Sequence, residues 1–241
     1  MKNVTIKMAL LVMAVMTIPS GCSKTEFQAE AFADVYTKTT LVNGTYQESV
    51  VQVVFSSATI SSVESTDGSG NFVLDNSFGK GNAFVSESPR PIDDTSYSYV
   101  VNFENGSQQE ITEASTAAII DPAGNCVANL NGDKIELSWN VVNGADAYSV
   151  ILKRAESGSS AETIVPLLIS GYITATSYQF QYQPLLFEQT GENTVTRFYF
   201  EVYAFQFEDK VDPNDNTLTV QDFTKYKAVS VSVVDWNPVA P

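Results

Sequence analysis

Residues 133–154 read DKIELSWNVVNGADAYSVILKR. Ile135, Leu137 and Trp139 alternate with Glu136, Ser138 and Asn140. Successive side chains of a strand point to opposite faces, so this period of two predicts a strand with one apolar and one polar face. Asn143-Gly144 is a turn pair, and beyond it Tyr148, Val150 and Leu152 resume the pattern. The stretch therefore predicts two half-buried strands, with a Trp and a Tyr among their inward positions.

The same signature extends in both directions. No segment carries a long 3.6-residue apolar period bounded by helix caps, and short alternating runs separated by turn residues predict an all-β chain of sandwiches or barrels. In the first half, Asn43-Gly44 and Asn105-Gly106 each lie between two extended runs and predict hairpins. Tyr97, Tyr99, Val101 and Phe103 share one parity and predict one buried face. About seven short strands fit into roughly ninety residues, the size of one sandwich. DPAGN, residues 121–125, breaks any strand and is the expected junction.

Residues 127–236 resemble a fibronectin type III domain. In that family a strand-B Trp and a strand-C Tyr pack in the core, as Trp139 and Tyr148 do in this reading. TATSYQF (174–180) is similar to strand E, RFYFEVYAF (197–205) to strand F and KAVSVSVV (227–234) to strand G. The family's tyrosine at the start of strand F is replaced here by Phe198, which has no hydroxyl to cap the E–F corner. The segment before it, QPLLFEQTGENTVT (183–196), is also long, so the corner is expected to be built differently.

The N-terminus carries a separate message. Lys2 and Lys7 flank the start of an apolar run from Met8 to Ile18, too short to span a bilayer and typical of a secretory signal. Ile18-Pro19-Ser20-Gly21-Cys22 resembles a bacterial lipobox, departing from it at Pro19, where a bulky aliphatic is usual. The resemblance implies cleavage before Cys22, lipidation of that residue and anchoring by several acyl chains. Ser23 after the cysteine is similar to the outer-membrane signal of Gram-negative lipoproteins. The expected organisation is a signal peptide over 1–21, a lipidated tether over 22–30, an N-terminal sandwich over 31–121 and a fibronectin type III-like sandwich over 122–241. This layout resembles accessory surface lipoproteins of starch-utilisation-type systems. If Cys22 is acylated, Cys126 has no intramolecular partner and reads as an inert thiol.

Composition excludes several functions. The net charge of −15 repels phosphate backbones and anionic headgroups, so neither nucleic acid nor a basic-patch membrane contact is expected. There is no histidine, which removes His-based nucleophilic catalysis and His-ligated zinc. No phosphate loop, nucleophile elbow or metal-ligand cluster is present, so no enzyme is expected.

Two candidate sites remain. On strand F, Phe198, Phe200, Val202 and Ala204 take the core side. Tyr199, Tyr203, Phe205 and Phe207, with Ile151 and Tyr226 on neighbouring strands, take the other. These four rings of the strand, with Tyr226 and Ile151 beside them, then form either a contact face for glycan or protein or a face covered by the chain itself. The loop FEDKVDPNDNT offers Asp209, Asp212, Asn214 and Asp215, oxygen ligands of the kind Ca²⁺ takes but without the EF-hand spacing, and the same residues are what a solvated turn prefers. The expected function is a non-catalytic, outer-membrane-anchored lipoprotein presenting a binding face, periplasmic or at the cell surface. The alternative is a structural or spacer subunit of an envelope or adhesin assembly.

Overall fold

The structure is a computed structural model and describes residues 29–42, 44–66, 70–74, 83–89, 96–115, 118–157, 162–187, 194–209, 211–215, 217 and 225–236. The signal segment, the lipobox and Cys22 lie outside these residues. Fourteen strands are described. Before the junction lie β1 (Ala31–Val42), β2 (Thr45–Ser56), β3 (Ile60–Ser65), β4 (Val73–Leu74), β5 (Phe84–Ser88), β6 (Ser96–Phe103) and β7 (Gln108–Ala114). After it lie β8 (Val127–Asn131), β9 (Lys134–Ser138), β10 (Ala147–Ser157), β11 (Glu162–Ile169), β12 (Ser177–Gln181), β13 (Thr194–Phe207) and β14 (Tyr226–Trp236), with one 3₁₀ turn at Pro184–Phe187.

The predicted alternation is realised in the packing. Ile135 and Leu137 of β9 and Tyr148, Val150 and Leu152 of β10 are buried in one cluster with Trp139, Phe200, Val202 and Ala204. Tyr97, Tyr99, Val101 and Phe103 of β6 are likewise buried together, against Val35, Val50 and Val54. Asn105-Gly106 turns β6 into β7, and Gly44 turns the chain into β2, while Asn43 lies outside the described residues. Gly106 has φ of 83°, a backbone angle that glycine reaches without a Cβ clash, and its N–H bonds the Phe103 carbonyl at 2.9 Å.

Three sheets result. One has three strands, β12-β9-β8, and a second has three, β3-β6-β7. The third is an eight-stranded sheet in the order β11-β10-β13-β14-β1-β2-β5-β4. Strands β8, β9 and β12 facing β11, β10, β13 and β14 reproduce the fibronectin type III arrangement of A-B-E against C′-C-F-G. The fold is all-β and sandwich-like, as the alternation predicts.

The eight-stranded sheet crosses the junction. Its two halves meet where β1 pairs parallel with β14, from Thr37 opposite Ala228 to Leu41 opposite Ser232. Cross-strand register puts Phe200, Val202, Ser230, Ser232, Thr37, Thr39, Val50 and Val54 on one face. That face receives both three-stranded sheets, so each half forms a sandwich on the same side of the shared sheet.

The junction segment fills the space between them. Pro122 and Ala123 are buried, and the segment lies over the two central strands. Thr37 Oγ1 donates to the Ala118 carbonyl (2.5 Å), Ser230 Oγ to that of Asp121 (2.9 Å) and Ser232 Oγ to that of Ala123 (2.7 Å). Small hydroxyl side chains on β1 and β14 leave room for this backbone and supply donors to its carbonyls, which buried backbone requires. The linker is a strap bonded to the sheet.

Candidate functional site

The aromatic face comes from strand alternation on β13, and the parity predicted for it is correct. Phe200, Val202 and Ala204 are in the sandwich core with half-buried Phe198 packed against them. Tyr203, Phe205 and Phe207 turn to the opposite side. A β-bulge between Gln206 and Phe207 brings Tyr226 to the same side.

This side is not open to solvent. Tyr199 is 5% exposed, Phe205 3%, Phe207 4% and Tyr226 3%, while Tyr203 and Ile151 are half-buried. The expectation of an exposed contact face therefore fails, and the chain itself covers the rings. The physical reason is lateral. In a lone fibronectin type III domain strand G is an edge; here β1 and β2 extend the sheet beyond it. Tyr36, Val51 and Val53 join Phe205, Phe207, Tyr226, Val229 and Val231 in a second apolar cluster.

Tyr172 lies on this cluster from above. Ile173 pairs with Tyr148 beyond the end of β11, and this pairing carries the neighbouring ring over the sheet. Its centroid is 5.2 Å from both Phe205 and Phe207, edge to face, and its hydroxyl is 2.6 Å from that of Tyr226. Edge-to-face pairs of this kind are favourable beyond simple area burial.

Polar groups of β13 on this face are paired within the sheet. Glu201 takes a salt bridge from Lys153 (2.6 Å) and a hydrogen bond from the Tyr203 hydroxyl (2.5 Å) on the same carboxylate oxygen. Burial and the Glu201 charge hold the Tyr203 hydroxyl protonated far above the usual tyrosine range. The Arg197 guanidinium lies 4.6 Å from the centre of the Tyr199 ring, a cation–π distance. These contacts serve packing within the sheet.

The described residues of the candidate calcium loop form local turns. Asp212 Oδ1 accepts from the Asn214 backbone and side chain, and Asp215 Oδ1 accepts from both donors of Thr217. These bonds hold the Asp215 carboxyl below its usual range. Asp209 pairs with Lys227 at 3.2 Å. Among the described residues no group of three or more carboxylate or thiol side chains is arranged to hold a metal ion. Cys126 is half-buried at the strap, where its thiol donates to the Ala123 carbonyl at 3.2 Å. Burial raises its pKa, so the unreactive thiol is favoured.

An opening that strand parity does not reveal lies at the E–F corner. Phe198 cannot supply the corner hydroxyl, and an aromatic cluster takes its place. Phe187 stacks on Tyr182 at 5.2 Å and meets Phe198 and Trp236 edge-on at 5.1 and 5.2 Å. Beside it is a groove of 540 Å³ lined by Phe187, Phe198, Trp236, Val195, Thr196 and the Arg197–Asp235 pair. The signal for it was the unusual length of residues 183–196 together with the missing tyrosine.

No protein-family model and no curated protein matches the chain. Among solved structures, a chain from a cytokine receptor complex is similar at 10% identity and a TM-score of 0.28, covering 86% of this chain and 98% of that one. A likeness this slight adds nothing to the strand order, on which the fold assignment rests.

Proposed function

We propose that this chain is a non-catalytic lipoprotein, anchored in the outer membrane through Cys22, that serves as a rigid structural or spacer module of an envelope assembly. The observation that supports a structural role is the parallel β1–β14 pair, reinforced by the bonded strap. Two sandwiches joined this way cannot swing about a hinge, and a fixed distance between attachment points is what a spacer supplies. The inward turn of the aromatic face removes the residues that favoured a contact surface on β13. The anchor follows from the signal segment and the lipobox resemblance. Cys22→Ser is expected to move the protein from the membrane to the soluble fraction and to abolish labelling by radioactive palmitate; persistent labelling would refute the anchor. Co-purification of the tagged protein in a stoichiometric envelope complex is the result expected of a structural subunit, and a monomer with no envelope partner would count against it.

A second reading keeps a contact function and moves it to the E–F groove, whose aromatic walls and Arg197–Asp235 rim suit a glycan or a protein side chain. Glycan-array binding that is lost in an Arg197→Ala/Asp235→Ala double variant would favour it over the spacer reading.

A further inference from the structure

Strand β1 outruns its partner. Its pairing with β14 begins at Thr37, so residues 31–36 have β2 on one side and no part of β14 on the other. Strand β7 packs there instead. The Ala31 N–H donates to Gln109 Oε1 at 2.9 Å, and Gln109 Nε2 returns to the Ala31 carbonyl at 3.4 Å. This seam closes the shared sheet against the β3-β6-β7 sheet.

Asp34 sits at the seam. Its Oδ2 is shielded from water and has no hydrogen-bond partner. Its cross-strand neighbour on β2 is apolar Val53. The charged groups facing it are acidic: Glu113 from β7 and Glu208 from the segment after β13. Among the described residues no cation forms an ion pair with any of the three. The Val35 backbone N–H favours the ionised form, but desolvation and repulsion by Glu113 and Glu208 outweigh it, and a neutral acid avoids both costs.

We propose that the β1–β7 seam is a pH-dependent latch, closed while Asp34 is a neutral carboxylic acid and opened as it loses its proton to solvent. Opening frees Asp34 into water, where its charge is hydrated, and exposes the edges of β1 and β7. Burial, with Glu113 next, pushes the Asp34 carboxyl up to about 8 in the closed seam, and burial raises Glu113 as well. A solvated aspartate titrates near pH 4, roughly its value in an open strand. Between these values the closed seam holds a proton that the open one has released. The opening equilibrium therefore rises about tenfold per pH unit, and it levels off above about pH 8. The chain carries no histidine to mask this window.

Hydrogen exchange of the full chain from pH 5 to 9, corrected for intrinsic exchange, tests the latch. Amides of 31–36 and 108–114 are expected to lose protection about tenfold per pH unit up to about pH 8, and Asp34→Asn to remove that dependence. Glu113→Gln, which leaves half-buried Asp34 in place, is expected to keep the slope and move its upper limit to lower pH. This second variant keeps the test intact should Asp34→Asn fold poorly. Protection independent of pH in the wild type, an unchanged slope in Asp34→Asn, or an equal slope at the β13 core amides would each overturn the proposal.

Discussion

Phe200→Ala tests whether the shared sheet makes one cooperative body of the two halves. Phe200 is fully buried in the C-terminal sandwich, with Phe180 at 6.1 Å and Trp236 at 5.5 Å between ring centres. Truncating a buried phenylalanine removes its transfer energy and leaves a cavity, a loss of about 3–5 kcal/mol. For a chain of this size each kcal/mol lowers Tm by about 2–4 °C, so the expected shift is roughly 6–20 °C. Calorimetry reads the transition, and hydrogen exchange at Tyr99 and Val101 in β6 reports the opposite half. If the β1–β14 pair and the strap couple the halves, one transition moves, and β6 protection falls with it although β6 touches nothing near Phe200. The reciprocal change, Val101→Ala in the N-terminal core, is expected to lower the same transition by about 2 kcal/mol in stability. Two calorimetric transitions, of which Phe200→Ala moves only the later half, would refute the coupling.

Three further outcomes follow from the contacts. Ser230→Ala removes the donor to the part-buried Asp121 carbonyl, and Ser232→Ala leaves the Ala123 carbonyl with the weaker Cys126 thiol donor alone; each is expected to cost about 0.5–1.5 kcal/mol in a urea melt. Arg197→Ala removes only an exposed 3.4 Å ion pair and a ring contact, so its effect on stability is expected to stay within about 1 kcal/mol. Asp34 also makes global stability fall with rising pH, because the native state holds a proton that the unfolded chain releases near pH 4. Between pH 5 and 7 the loss is about 2–3 kcal/mol in urea melts, and Asp34→Asn is expected to flatten it.

Most of the strand structure was legible because it depends on local period. Ile135, Leu137, Tyr97 and Tyr99 declare their faces within a few residues, and Asn-Gly pairs mark where the chain turns back. Division of the β13 rings into two faces was legible for the same reason. What covers the second face was not, because it depends on which strand lies beside β14. Nothing local to Thr37–Leu41 or Ala228–Ser232 states that these segments pair, since parallel neighbours share no turn. A weak signal existed in Ser230 and Ser232, small polar residues at core-facing positions where Val or Leu is the rule. Such residues mark the approach of another backbone, and here that backbone is the strap. The lining of the E–F groove was illegible in detail because it combines a 3₁₀ turn with the ends of two strands.

The central place of β1 also constrains how the molecule comes to exist. Synthesis from the N-terminus delivers β1 and β2 early, yet one edge of β1 stays unsatisfied until β14 emerges as the last described strand. That contact joins regions far apart in sequence, which slows folding and prolongs the time an open strand edge is available to other chains. A holding factor that shields such an edge would be of most use in this interval, between the arrival of β1 and the arrival of β14.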